Sequence, residues 1–83
     1  MYNLQISLKA VKEIKKLERK HQEAVIEALK EIRENPLSGK PLTRELTGRF
    51  SYRVGIYRII YKVNQKDHII VILTAGHRSS VYG

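Results

Sequence analysis

A chain of 83 residues has room for one domain, spanning residues 1–83, and its 42% hydrophobic and 29% charged residues are typical of a folded protein rather than a disordered one. It has no cysteine, which excludes disulfides and thiolate metal sites. It also has no apolar run of the roughly 20 residues that span a bilayer, and residues 1–5 do not resemble a basic leader followed by an apolar stretch, so we expect a cytoplasmic protein. Sixteen Lys and Arg against eight Asp and Glu give a net charge of +8, which is typical of a protein that binds a polyanion, although a merely soluble basic surface would have the same composition.

The first half of the chain predicts one strand followed by helical structure. Residues 2–6 alternate apolar and polar side chains, which is the period of a half-buried strand. Ser7 can cap a helix, and an apolar stripe of helical spacing follows over residues 8–17. A second stripe covers residues 25–32, so two helices and one bent helix fit equally well. Asn35-Pro36 then ends the helical region, because the residue before a proline avoids helical angles.

Three strand-like runs occupy the second half, at residues 50–54, 57–63 and 68–74. The links between them are of hairpin length, which predicts an antiparallel meander. The unbroken apolar run at residues 69–73 indicates the most buried strand. We therefore predict an α+β fold with an N-terminal strand, two helices or one bent helical hairpin, and a three-stranded antiparallel meander that carries the helices on one face.

Basic residues are concentrated in this second half. From residue 38 onward the acids are Glu45 and Asp67 alone. Arginine outnumbers lysine there, which favours planar, bidentate recognition of phosphate groups. The basic residues of this stretch are Lys40, Arg44, Arg49, Arg53, Arg58, Lys62, Lys66 and Arg78.

Residues 52–61 contain two arginines and three tyrosines, which lie on both sides of a predicted tight turn. On the second strand of this hairpin Arg58 shares a face with Ile60, and Tyr57 and Tyr61 take the other face. If the helices cover the tyrosines, Arg58 lies on an open sheet face, where guanidinium groups bind the phosphates of single-stranded RNA. The alternative, ordinary strand tyrosines with an arginine at the sheet edge, is the commoner situation.

Polar groups also follow the end of the last strand. His77 can exchange a proton near neutral pH, and Tyr82 could do so beside cations. The structural alternatives are a hydrogen-bonded surface histidine and a tyrosine that packs the chain end. The histidines lack metal-ligand spacing, and no glycine-rich phosphate loop precedes a helix, so we expect any catalysis to use no metal and no other cofactor.

Three pieces of the second half form an ordered motif set: Leu46-Thr47-Gly48, then Tyr52-Arg53-Val54-Gly55 with Tyr57-Arg58-Ile59-Ile60-Tyr61, then Gly76-His77-Arg78 with Val81-Tyr82. Together they resemble the RelE branch of the RelE/ParE toxin superfamily. The first half agrees in layout, with a strand and a helical pair that closes at Asn35-Pro36.

The resemblance implies a ribosome-dependent endoribonuclease that cuts mRNA in the decoding site. The RNA's own 2′-hydroxyl is the nucleophile in this reaction, and a 2′,3′-cyclic phosphate is left. Matched by position, Arg58 and Arg78 would stabilise the phosphorane-like transition state, and Arg53 would hold the substrate. Tyr82 would stack on the substrate or exchange protons with it. His77 and Tyr82 are the candidates for proton transfer, with the two roles left open between them.

Further basic residues are expected to bind the RNA, namely Lys40, Arg44, Arg49 and Lys62. Gly55 stands where some relatives carry a second lysine, so the general base is not assigned. The implied partners are the ribosome, its mRNA and a cognate RelB-like antitoxin. Two other functions fit the same motifs: a ParE-like inhibitor of DNA gyrase and a noncatalytic RNA-binding module.

Overall fold

The computed structural model describes residues 2–43, 45 and 47–77. In chain order the elements are β1 (Asn3–Ile6), α1 (Leu8–Lys15), α2 (Arg19–Glu34), β2 (Lys40–Pro41), β3 (Arg49–Val54), β4 (Tyr57–Asn64) and β5 (Ile69–His77). Neither helix in this part of the chain is both long and apolar enough to cross a membrane.

Ser7 caps α1, as its sequence position predicted. Its Oγ accepts a hydrogen bond from the backbone N–H of Ala10 at 3.1 Å, which satisfies one of the free donors of the first turn. The same hydroxyl donates to the carbonyl oxygen of Leu73 on β5 at 2.8 Å. The cap therefore also ties the start of α1 to the sheet.

The helical region consists of two separate helices rather than one bent helix. Gln22 on α2 donates its side-chain amide to the carbonyl oxygens of Ile14 at 3.0 Å and Lys15 at 3.3 Å. These carbonyls belong to the last turn of α1, where the Ile14 oxygen also accepts from the backbone N–H of Leu17 at 3.1 Å, so α2 adds hydrogen bonds to the end of α1. α2 itself ends at Glu34, directly before Asn35-Pro36, as the proline predicted.

In the part of the chain that the structure describes, the sheet has five strands in the order β1-β5-β4-β3-β2. β4 pairs antiparallel with both β3 and β5. β1 pairs parallel with β5, and β2 pairs antiparallel with the outer edge of β3. The prediction of a three-stranded antiparallel meander is therefore wrong as a description of this sheet. Alternation in β1 indicates a strand but not its partner, and Asn3 pairs with Ile69 far along the chain. β2 is two residues long and contains Pro41, so it shows no strand period at all.

One face of the sheet carries both helices and the hydrophobic core. Tyr61 on β4 is fully buried, and its ring stacks on Phe50 of β3 with centroids 5.4 Å apart. Strand side chains alternate between faces, so the residues between these core positions on β3 and β4 point away from the helices. The buried cluster consists of Ala10, Val25, Ala28, Leu29, Ile32, Ile59, Tyr61, Ile70, Ile72 and Ala75.

β1 pairs with the first part of β5, and α1 contacts the same edge of β5 further along the strand. The ladder between β4 and β5 shifts register at Ile60/Tyr61, so that Leu73 is an extra residue on β5. Beyond this bulge the carboxylate of Glu13 on α1 accepts hydrogen bonds from the Thr74 hydroxyl at 2.6 Å and the backbone N–H of Ala75 at 3.2 Å. A helix side chain thus satisfies an edge donor that β1 does not reach.

Candidate functional site

The pairing of β3 with β4 places basic side chains opposite one another. Arg53 pairs with Arg58 and Arg49 with Lys62. Directly paired residues share a face of an antiparallel sheet, and the alternate residues of both strands enter the core. These four cations therefore lie on the open face, which points away from the helices.

Lys40 on β2 belongs to the same face, because it pairs with Ser51, which lies between Arg49 and Arg53 on β3. We refer to this set of open-face cations as the basic strip; it consists of Lys40, Arg49, Arg53, Arg58 and Lys62. Lys62 follows Arg58 by four positions, which corresponds to roughly 13 Å along β4. The strip is thus long enough to contact more than one phosphate of an extended nucleic-acid strand.

Arg53 and Arg58 lean in opposite directions from their shared register position. Arg53 is exposed, and its Nε donates to the carbonyl oxygen of Gly55 at 3.4 Å, toward the hairpin turn. Arg58 is half-buried, and its Nη1 donates to the Ser51 hydroxyl at 3.2 Å, away from the turn. Like charges directly opposite one another destabilise a strand pair, and the two contacts increase the distance between the guanidinium groups.

The hairpin turn that sets this register has two residues, Gly55 and Ile56. Gly55 has φ +60°, a conformation that L residues with side chains rarely adopt and that suits the first position of a tight hairpin turn. A longer link would alter the pairing of Arg53 with Arg58, since turn length fixes the register. Gly55 therefore contributes to the site through the backbone.

An open groove of about 680 Å³ adjoins the Lys62 end of the basic strip. Ile69 and Val71 of β5 form an apolar floor on the open face, and Lys62 stands at the side. An apolar surface beside a cation suits a planar ring that carries a phosphate, such as a nucleotide. The lining consists of Thr47, Gly48, Lys62, Val63, Asn64, Gln65, Ile69 and Val71.

His77 lies on the opposite face of the sheet from Arg53 and Arg58. His77 is exposed at the end of β5 and pairs with Tyr57, whose side chain lies on the helix face of β4, opposite Arg58. Their rings meet edge to face with centroids 6.1 Å apart, and the ring of His21 on α2 also packs against Tyr57 with centroids 5.1 Å apart. The role of His77 in proton transfer stays a prediction.

The remaining predicted site residues, Arg44, Arg78 and Tyr82, lie outside the described residues, so their roles also stay predictions. Within residues 2–43, 45 and 47–77, no group of three or more His, Cys, Asp or Glu side chains could hold a metal ion.

Sequence reasoning missed Ser51, which contacts Arg58. A signal was present, because Ser51 precedes Arg53 by two positions and therefore shares its strand face. The hydrogen bond itself depends on the pairing of β3 with β4, which the sequence pattern does not fix to the residue.

Comparison with known proteins identifies the chain's relatives. A sequence model of the family described as the ParE toxin of the type II toxin-antitoxin system parDE matches residues 4–82. This chain belongs to the RelE/ParE toxin superfamily. The resemblance drawn from its motifs is thereby confirmed, and the chain is a toxin of a type II toxin-antitoxin system.

Several members of the RelE/ParE superfamily are similar to this chain over almost its whole length. Toxin RelG of Mycobacterium tuberculosis is 37% identical over an alignment 83 residues long, and the alignment covers 98% of this chain and 95% of RelG. The toxin-antitoxin complex RelBE2 of the same organism contains a chain with 37% identity and a TM-score of 0.85, covering 93% of this chain and 98% of that one. The isolated RelE toxin of E. coli is 26% identical, with a TM-score of 0.80 and coverage of 99% and 92%.

Proposed function

We propose that this toxin is a ribosome-dependent endoribonuclease that cleaves mRNA in the decoding site. The observation that carries the proposal is the pairing of Arg53 with Arg58 on the open face of the sheet, within a strip of five cations. A cationic open sheet face fits single-stranded RNA, and the similarity to toxins named RelG and RelE favours the RelE type of activity.

In the proposed reaction the 2′-oxygen of a nucleotide attacks the adjacent phosphorus atom. A bond from the 2′-oxygen to phosphorus forms and the bond to the 5′-oxygen breaks, which leaves a 2′,3′-cyclic phosphate. One proton leaves the 2′-hydroxyl and one is taken up by the departing 5′-oxygen. Negative charge accumulates on the non-bridging oxygens in between, and fixed cations stabilise this charge more than they stabilise the substrate.

Arg58 is the main candidate for this stabilisation, because it is half-buried and held by Ser51 before any RNA binds. A cation that is already in place needs little reorganisation in the transition state. The more exposed Arg53 would hold the substrate phosphate. Arg78 and Tyr82, matched by position, would supply a further cation and a stacking or proton-exchanging group.

Binding of the message would involve the rest of the basic strip. Lys40, Arg49 and Lys62 share the open face with Arg53 and Arg58, so they would contact phosphates that flank the cleavage point, and Arg44 is proposed to add to them. The similar chains of known structure include toxins in RelBE complexes, so we propose a RelB-like protein as the cognate antitoxin of this toxin.

The test is cleavage of an mRNA on programmed ribosomes by the purified protein, in parallel with the free RNA. We expect cuts in the ribosome-bound message and little cutting of free RNA. Arg58→Ala should lower the single-turnover rate by about a hundred- to a thousand-fold, the usual loss for one transition-state donor. Arg33→Ala is the matched control, since it removes an exposed arginine from α2. An intact message on active ribosomes would overturn the proposal.

A second candidate is inhibition of DNA gyrase, favoured by the match of the ParE family description to residues 4–82. A gyrase supercoiling assay with the same protein separates the two functions. Inhibition of supercoiling that Arg58→Ala leaves unchanged, together with an intact message, would establish the ParE type of activity.

A further inference from the structure

We propose that Ser51 is a positioning residue for Arg58: its hydroxyl fixes the guanidinium group over the open face and sets the gap between Arg58 and Arg53. This inference rests on the proposed RNA cleavage, because a fixed gap between two cations matters when a phosphate must fit between them.

Ser51 occupies a rigid place in the molecule. It is 4% exposed, and its backbone lies between β2, through Lys40, and β4, through Ile60. A buried residue paired on both sides cannot move without breaking two ladders. The sheet therefore fixes the backbone of the residue whose hydroxyl oxygen accepts the hydrogen bond from Arg58 Nη1 at 3.2 Å.

The direction of the contact matters as much as its strength. Arg58 reaches diagonally across the strand pair to Ser51, while Arg53, directly opposite, reaches to Gly55. The two hydrogen bonds spread the guanidinium groups along the strands and offset their repulsion. Loss of the serine hydroxyl would remove this restraint on the guanidinium group and widen the range of rotamers that the long Arg58 side chain samples.

A hydroxyl is also chemically suited to this task. It accepts one N–H of the guanidinium without adding negative charge, so the full positive charge of Arg58 remains for a phosphate. A carboxylate at this place would fix the arginine more strongly but would neutralise it. Ser51 thus orients the cation and preserves its charge.

Single-turnover cleavage on programmed ribosomes tests the role with Ser51→Ala and Ser51→Thr. We expect the alanine variant to cleave about tenfold more slowly at saturating ribosomes, with its affinity for the ribosome unchanged. The threonine variant keeps a hydroxyl on a strand-favouring residue and should cleave close to the parent rate. Equal rates for the alanine variant and the parent would overturn the inference.

A double-mutant cycle separates positioning from simple support of the fold. If Ser51 acts through Arg58, Ser51→Ala should cause no further loss in the Arg58→Ala background. A residue that only supports the fold would lower the rate by the same factor in both backgrounds, and this result would count against the inference.

Nitrogen-15 relaxation of the Arg58 Nε–H group tests the contact without any cleavage. We expect the order parameter of this group to fall in Ser51→Ala and to recover in Ser51→Thr, while Arg53 Nε–H changes little. An unchanged order parameter would overturn the positioning role. A parent protein that shows the restraint but does not cleave the message would instead overturn the proposed function, and with it the catalytic purpose of the contact.

Discussion

The backbone N–H of Gly39 lies 3.0 Å from the hydroxyl oxygen of Tyr61, to which it donates a hydrogen bond. The same hydroxyl donates to the carbonyl oxygen of Pro36 at 2.9 Å. Tyr61 is fully buried on the helix face of β4, so this pair of bonds ties the loop after α2 to the centre of the sheet. β2 begins at the next residue, Lys40, and flanks Ser51. The position of Lys40 at the edge of the basic strip therefore depends on the packing of Gly39 against Tyr61.

Gly39→Ala is expected to destabilise the protein by about 2 kcal/mol, in the range observed for overpacked cores. A Cβ at this position would lie 2.5 Å from Tyr61 Oη and 3.1 Å from the carbonyl oxygen of Ser51. Neither atom belongs to a flexible chain end, because one is buried and hydrogen-bonded and the other is backbone. Urea denaturation of the variant and the parent measures the difference.

Tyr61→Phe provides the control for this effect. The phenylalanine variant alone should lose about 1–3 kcal/mol, since Gly39 N–H and Pro36 C=O lose their partner. In that background Gly39→Ala should cost less, because the nearest clashing oxygen is gone. Strict additivity of the two changes would show that the contact with the hydroxyl is not the cause.

The same tyrosine should make stability fall at alkaline pH. Burial raises the pKa of Tyr61 above its ordinary value of 10.0, although hydrogen bonds from Gly39 and Ser38 oppose the shift. Above pH 10 the unfolded chain releases this proton while the folded chain keeps it, so the unfolding free energy decreases with pH until the folded pKa is passed. The contribution is fully present below pH 10 and decreases by at most about 1.4 kcal/mol per pH unit above it.

Denaturant unfolding between pH 9 and pH 11 measures this effect as the difference between the parent and Tyr61→Phe. Any other effect of pH that the two proteins share cancels in this difference. Parallel stability curves for the two proteins would contradict the role assigned to burial.

The sequence predicted the local elements of this fold better than their assembly. Ser7 as a helix cap and Asn35-Pro36 as a helix end are local signals, and each fixes a boundary through its own backbone chemistry. The parallel pairing of β1 with β5 joins residues more than sixty positions apart, and alternation within a strand carries no information about its partner. Lys40 and Pro41 have low strand propensity. β2 therefore forms through tertiary contacts, namely its pairing with β3 and the hydrogen bond of the preceding Gly39 to Tyr61.

The candidate site shows the same division. Arg53 and Arg58 stand out in the sequence because a glycine turn of fixed length separates them, and turn length sets which residues face each other. Ser51 does not stand out, because its role depends on burial and on a diagonal contact across the strand pair. His77 stands out because it follows the buried strand and can exchange a proton near neutral pH, but its position beside the ring of Tyr57 on the helix face follows from the pairing of β5 with β4.

Glu13→Ala is expected to destabilise the protein by about 1–3 kcal/mol. The carboxylate of Glu13 accepts from the Thr74 hydroxyl and from the backbone N–H of Ala75, a residue that is fully buried. Removing the acceptor leaves a buried donor unsatisfied, which costs the desolvation of that group. Glu13→Gln retains an acceptor oxygen and should lose less.

Thermal and urea denaturation of these variants should be compared with Glu23→Ala, which removes an exposed carboxylate from its ion pair with Arg19 on α2. Exposed pairs of this kind contribute about 0–1 kcal/mol. A loss for Glu13→Ala no larger than that for Glu23→Ala would mean that the edge of β5 is stable without this side chain.

Arg49→Ala and Lys62→Ala should weaken binding to programmed ribosomes without changing the single-turnover cleavage rate at saturation. The two residues pair at the end of the basic strip away from the hairpin turn, so they would contact flanking phosphates rather than the reacting one. Each lost contact with a single strand should lower the slope of log affinity against log salt by about 0.7. Lys20→Ala, which removes an exposed charge from α2, is the matched control because it changes the net charge equally. Equal weakening by the Lys20 variant would mean that net charge, rather than the basic strip, governs binding.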